Sequence, residues 1–212
     1  MKPAILTAIS LILCTLPAAA ETIDEVVAAV GDTPILRSDL HLAELVRLVD
    51  PGPAETAEDL GARLLEARIR LELQFRDLEA SGTLYRLDID VAASRATLVE
   101  RAGGEEAVAP ALAASGLTAA DLDELALRVA AVGAFIEQRL RPRVRVGTEE
   151  VRAAYQELVA RPIEGAGETA PPFEEVQEQL HLLLAERKLN GEIERWLDAA
   201  AEQLEVTRFH RW

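Results

Sequence analysis

Aromatic residues are scarce in this chain, 4% of 212 residues, while Ala and Leu dominate. That shortage disfavours a β-sandwich, which leans on aromatic and β-branched side chains, and favours helices. There is one cysteine, Cys14, which excludes a disulfide framework and any multi-cysteine metal site. The only histidines are His41, His181 and His210, and none has a second His or a Cys at ligand spacing, so no metal site is expected. Positive charge is in deficit: 22 Lys and Arg stand against 37 Asp and Glu, a formal net charge of −15. Such a chain is a poor partner for the phosphate backbone of nucleic acid and is repelled by anionic lipid headgroups. Apolar residues still make up 50% of the chain, too many for a disordered protein, and the length fits one domain or at most two.

The first twenty residues read as an address. Met1 and Lys2 give a positive start, Ala4 to Leu16 is an apolar run, Pro17 breaks it, and Ala18, Ala19 and Ala20 follow. These are the three parts of a secretory signal peptide, with cleavage expected between Ala20 and Glu21. The run is shorter than the ~20 residues of a spanning helix, which weighs against the alternative of an uncleaved membrane anchor. Leu13 stands before Cys14 where a lipoprotein would need a small residue, so Cys14 is read as a bystander. Its loss with the signal leaves a mature chain without cysteine, which suits an oxidising compartment. The expectation is an exported protein of the bacterial periplasm, with residues 21–212 forming one domain and no stable membrane insertion.

The mature chain opens with a short β-branched run from Glu25 to Val30, a turn at Gly31 to Pro34, and a second short strand at Ile35 and Leu36. Ser38 is expected to cap a helix carrying Leu42, Leu45, Val46 and Val49, stopped by Pro51, Gly52 and Pro53. Thr56 with Asp59 announces a long helix. Its positions Leu60, Leu64, Leu71, Phe75 and Leu78 mark one face, and Leu65, Ile69 and Leu73 widen it, so burial on two sides is expected. Further starts are expected near Asp90, at Glu105 after Gly103 and Gly104, and at Thr118 with Asp121. From there Leu122, Leu125, Val129, Val132, Ile136 and Leu140 form a stripe that Pro142 stops. Val144 and Val146 suggest an extended link before a helix at Thr148, Glu149 and Glu150. Residues 161–172, RPIEGAGETAPP, are read as a linker. Phe173 to Gln203 is the last long helix, with Val176, Leu180, Leu183, Leu184, Ile193, Trp196, Leu197 and Ala200 inward and Gly191 as a weak point or kink. Glu205 to His210 reads as a strand. Two lone strands cannot each stand in water. The economical solution pairs the last strand with the first, so the fold class is mainly α, a helical module with a small terminal β-pairing.

Catalytic signals are missing. No G-x-S-x-G occurs, and Gly103 with Gly104 lacks the context of a phosphate loop. The acid pairs Glu105 and Glu106, Glu149 and Glu150, Glu174 and Glu175 all fall at predicted helix starts, where the helix dipole favours them. No enzyme activity and no cofactor are expected. The remaining signal is apolar. Long amphipathic helices around a groove make peptide-binding surfaces as well as cores, and periodicity does not separate the two. Val129, Val132, Phe135 and Ile136 are the candidate contacts for such a peptide.

Segment order adds to this. The chain runs from "IDEVVAAVGDTPILRSDL" through "LLEARIRLELQF" and "SGLTAADLDELALRVAAVGAFIEQRLRPRVRVGTEEVRAAY" to "FEEVQEQLHLLLAERKLNGEIERWLDAAAEQLEV". It resembles the SurA-type periplasmic chaperones, in their N-terminal chaperone domain together with the C-terminal helix and strand that complete it. The resemblance covers almost all of residues 22–210, and its most specific pieces are Val27 to Leu40 and Val144 to Tyr155. In that family one or two parvulin-type prolyl isomerase domains stand where this chain has residues 161–172. Twelve residues are far below the ~50 that a compact domain needs, so the isomerase is absent. The resemblance implies an ATP-independent holdase for unfolded outer-membrane proteins and other exported polypeptides, binding through apolar helical surfaces. A second reading is a non-catalytic scaffold or adaptor for one envelope protein; a residual prolyl isomerase is the weakest. The resemblance fixes no oligomeric state.

Overall fold

The computed structural model describes residues 24–209. The expected signal peptide, the Ala20–Glu21 cleavage point, Cys14 and His210 lie outside them. The chain is mainly α with a small antiparallel sheet. Strands β1 (Val26–Val30) and β2 (Thr33–Leu36) form a hairpin around Gly31 and Asp32. Gly31 has φ +55, a left-handed conformation in which a side chain is strained, and its N–H donates to Glu205 O at 2.8 Å. That bond already ties the hairpin to the tail. Strand β3 (Val206–Arg208) completes the sheet in the order β2-β1-β3, antiparallel to β1, with Ala28 opposite Arg208 and Val30 opposite Val206. The expected closure of tail upon head is present. Arg208 fastens it from outside, donating through two nitrogens to Glu66, each at 2.9 Å.

Helix α1 (Arg37–Leu45) begins one residue before the expected cap. Ser38 lies inside the first turn; the free N–H of Leu36 is taken by Asp39 Oδ2 at 2.8 Å, and Asp24 accepts from both the N–H and the hydroxyl of Ser38. The helix also stops well before Pro51. Leu48 N–H reaches back to Ala43 O and Arg47 N–H to Glu44 O, the paired bonds of a Schellman stop, with Arg47 at φ +48 where glycine is usual. The stop places Val46, fully buried, under the helix end.

Helix α2 (Ala57–Ala80) starts as expected, with the Thr56 hydroxyl accepting from Asp59 N–H at 3.1 Å. It is buried on two sides. Leu71, Phe75 and Leu78 enter one core with Leu42, Val46, Leu98, Leu122 and Val132. Leu65, Ile69 and Leu73 enter another with Val27, Val30, Ile35, Leu197 and Ala200, beneath the sheet. Helices α3 (Val91–Arg101), α4 (Glu105–Ala114) and α5 (Ala119–Phe135) wall the first core. Their starts follow the expected signals: Asp90 accepts from Ala93 N–H at 2.8 Å, and Asp121 accepts from Thr118 N–H at 2.7 Å.

Two places depart from regular α-helix for the same reason. A π-helical turn, Ile136–Leu140, follows α5, and another, Gln156–Ala160, follows α6 (Thr148–Tyr155). Each stands just before an Arg-Pro pair, Arg141-Pro142 and Arg161-Pro162. Proline lacks an N–H and its ring crowds the carbonyl four residues back, so the chain widens there instead of continuing as α-helix. The first widening ends the stripe; the second leads into the short helix α7 (Arg161–Gly165). Residues 161–172 are therefore not all linker. Pro162 is tolerated near a helix start, and Gly167 at φ +80 closes α7, with Glu168 N–H bonding Ile163 O.

Helix α8 (Phe173–Gln203) has the expected bounds and runs unbroken through Gly191. Its first half packs on α6 in a third, smaller cluster of Val151, Ala154 and Leu180 with Tyr155 and Phe173 at its edge. Its second half lies on α2, held by the Trp196 indole donating to Asp77 at 2.8 Å and by Arg70 pairing with Glu194. Leu183, expected inward, is exposed, because Leu180 and Leu184 take the face that meets the α6 cluster and leave Leu183 on its outer side; Leu189, not singled out from sequence, is buried.

Candidate functional site

The four predicted contacts of the stripe lie along one run of α5 and its π-helical end, but mostly inside the first core. Val132 is 7% exposed, and Val129, Phe135 and Ile136 are partly buried against the same cluster. Phe135 meets the Trp196 ring with centroids 4.4 Å apart and planes tilted by 44°, so α8 covers this end of the stripe. Val129 also faces a groove of about 380 Å³ between α3 and α5. Its floor is Leu98 and the small residues Ala130, Gly133 and Ala134; Asp88, Asp90, Arg101 and Glu137 stand around it. Ser94 contributes a buried hydroxyl with no hydrogen-bond partner.

On the outside of α8, Leu182 is 58% and Leu183 41% exposed, neighbouring leucines on the face turned away from Leu180 and Leu184. Leu158 and Phe209 are exposed as well. Beside the apolar cluster, ion pairs fasten this part of α8. Lys188 donates to both carboxylate oxygens of Glu150 and to Arg145 O, and Arg141 pairs with Glu137 and Glu186. The Lys188 bond, helped by the Gly147 N–H, holds the Glu150 carboxyl below the usual carboxylate range.

A charged cleft of about 290 Å³ lies between β2, the start of α1, α2 and α5. Sequence reasoning missed it. At its base Glu72 is 1% exposed and accepts from Arg76 Nε at 2.8 Å and Arg128 Nε at 2.7 Å. Arg128 also lies over the Phe75 ring, 5.1 Å from its centroid, and pairs with Glu124 at 3.1 Å. One turn earlier on α2, Arg68 is 6% exposed. Its Nη2 stands 3.6 Å from Asp39 Oδ1, beyond hydrogen-bond distance, and its Nη1 is buried without a partner. Burial pulls the Arg68 pKa below the usual arginine value, with Asp39 and Glu72 opposing. A signal was present in the sequence: Arg68 and Glu72 fall at i, i+4 on a helix whose two faces are both apolar, which leaves them no solvent face. Their partners, 56 residues away in the case of Arg128, carried no signal.

His41 and His181 are exposed. The acid pairs sit in the first turns of α4, α6 and α8, as expected from the helix dipole. Among the described residues no group of three or more His, Cys, Asp or Glu side chains is placed to hold a metal ion. No helix among them is long and apolar enough to cross a membrane. No protein-family model matches the chain, and no curated protein matches it.

Proposed function

We propose that this chain is a periplasmic, ATP-independent holdase for unfolded exported polypeptides, outer-membrane proteins among them. The observation that carries the reading is the closure of the module by its own tail. β3 pairs with β1 and α8 returns across α2, while only residues 161–172 separate the outgoing from the returning half. That is the arrangement that the resemblance to SurA-type chaperones implies once the isomerase is absent.

The holding mechanism is passive. Client segments meet apolar surface that the fold leaves uncovered, the α3–α5 groove beside Val129 and the leucine pair Leu182 and Leu183. Contact there keeps extended segments from pairing edge to edge. Each contact is weak because ordering a flexible client costs conformational entropy, so binding is spread over several sites. Of the predicted contacts only Val129 is carried into this surface; Val132, Phe135 and Ile136 pack with the core, Phe135 also on Trp196.

The test is aggregation of a urea-unfolded β-barrel protein on dilution, without nucleotide. The mature protein at molar excess suppresses light scattering, and Leu182→Glu with Leu183→Glu weakens the suppression while leaving the circular dichroism unchanged. No suppression at excess overturns the reading. A scaffold or adaptor for one folded envelope protein is the second reading, favoured by the burial of most of the stripe. Capture of one stoichiometric folded partner, in place of many unfolded ones, decides for it.

A further inference from the structure

We infer that the cleft over Arg68 receives a main-chain amide of an extended polypeptide, its carbonyl accepting from the Arg68 guanidinium. The inference deepens the holdase reading and rests on it. It starts from a donor without an acceptor. Buried guanidinium groups in folded proteins are hydrogen-bonded, because an unmatched one forfeits its hydration for nothing. Arg68 makes no hydrogen bond among the described residues, yet it lines a cleft that opens beside β2.

The surrounding charges are already committed. Glu72 serves Arg76 and Arg128, Glu124 serves Arg128, Asp121 accepts from Thr118, and Asp39 Oδ2 accepts from Leu36 N–H. The lining therefore holds three guanidinium groups, Arg68, Arg76 and Arg128, against four carboxylates, Asp39, Glu72, Asp121 and Glu124. A bound anion would add a fifth negative charge. A neutral acceptor adds none, and in an extended client the N–H of the same residue points the same way as its carbonyl, so Asp39 Oδ1, on the same wall, is an acceptor for it.

The neighbouring edge of β2 does not compete for the same chain. Pro34 has no N–H to offer an added strand, and the Leu36 N–H is consumed by Asp39. A client is thus read one amide at a time over Arg68, not recruited as a further strand. The cleft is at the small end of ligand sites, which run from roughly 300 Å³ upward, and that suits a short stretch of backbone with small side chains.

The probe is fluorescently labelled, reduced and carboxamidomethylated ribonuclease A, an unfolded basic polypeptide, titrated with the mature protein and followed by anisotropy. Arg68→Met keeps the length and apolar stem and removes the donor; Arg68→Lys keeps the charge and shortens the reach. Arg68→Met is expected to bind at least about tenfold more weakly, the scale of one hydrogen bond to a charged donor, with Arg68→Lys between the two. In protein labelled with ¹⁵N-arginine, the Arg68 Nε–Hε signal should shift with the probe and stay in place with excess acetate. Equal binding by wild type and Arg68→Met, with the Arg68 signal unmoved, overturns the inference and leaves the holdase reading intact. A shift with acetate and displacement of the probe by it overturns the inference in favour of an anion. Failure of the wild type to bind the probe at all overturns both. Should Arg68→Met not fold, Arg68→Lys and the labelled signal decide by the same outcomes.

Discussion

Replacing Glu72 by Gln changes almost no volume, yet it should be the most damaging conservative substitution in the molecule. The carboxylate is buried and accepts from Arg76 Nε and Arg128 Nε on its two oxygens. Glutamine offers one acceptor and turns an NH₂ toward the other guanidinium, donor against donor. Arg76 is partly exposed and can swing to Glu79, with which it already pairs at 2.7 Å; Arg128, 11% exposed and lying over Phe75, keeps only the exposed Glu124 as a charged partner. Breaking a buried ion pair from one side costs about 3–5 kcal/mol. For a chain of this size each kcal/mol moves Tm by about 2–4 °C, so Glu72→Gln should lower Tm by roughly 6–20 °C. The double variant Glu72→Met with Arg128→Met removes both buried charges and keeps the contact with Phe75. It should recover most of the loss, because apolar replacement of a whole buried pair is often neutral or stabilising. Thermal melts by circular dichroism and a double-mutant cycle in urea measure both. A change in Tm within about 2 °C for Glu72→Gln, or a double variant worse than the sum of its singles, would refute the reasoning, since a small shift means less than ~1 kcal/mol of pairing.

Arg47→Gly should stabilise by about 1 kcal/mol in urea denaturation, because Arg47 holds the left-handed place of a helix stop at φ +48; unchanged stability refutes the strain. Gly191→Ala should add about 0.8–1 kcal/mol, since the residue is mid-helix and an added Cβ meets nothing within 4 Å; a loss would mean that the helix bends there in solution. Glu150 has a lowered pKa, so its contribution to stability is complete above the ordinary carboxylate value of 4.5 and is lost as pH falls through the depressed folded value. Glu150→Gln should therefore melt below the wild type at pH 7, with the gap narrowing as pH falls below 4.5 through the depressed folded value; a gap that does not narrow on acidification would point to packing in place of charge.

Much of the helical frame was legible because its signals are local. Thr56 with Asp59, Asp90, and Thr118 with Asp121 each place a side-chain oxygen three residues from the N–H it accepts from, and that spacing is written in the sequence. The tail closure was legible for a different reason: the short tail strand has no strand near it in sequence, so the N-terminal hairpin is the edge open to it. What local signals did not carry was missed. The end of α1 uses Arg47 where glycine is the recognisable signature, so the helix looked longer than it is. The π-helical turns leave the apolar spacing nearly unchanged, so the sequence around Ile136 and Gln156 reads as ordinary helix; only the Arg-Pro pairs beyond them mark the widening. The groove beside Val129 and the cleft over Arg68 depend on how α5 lies against α3 and α2, which no periodicity encodes.

The exposed leucine pair proposed for client contact sits on the more lightly held end of the fold. α8 lends its first half to the small α6 cluster, through Leu180 and Leu184, and its second half to the sheet and α2; Leu182 and Leu183, within the first contact, lie on the helix face turned away from it. The α6 cluster has three buried residues, against fourteen in the core that holds the stripe, so it has little apolar area with which to resist opening. Its attachment runs through surface ion pairs such as Lys188 with Glu150 and Arg141 with Glu186, which contribute little each and weaken with salt. The closing strand, by contrast, is bonded along β1 and pinned from outside by Arg208 and Glu66. The energetic gradient thus falls from a tightly closed sheet end to a lightly held α6 end. The exposed leucines proposed to hold clients stand at the second.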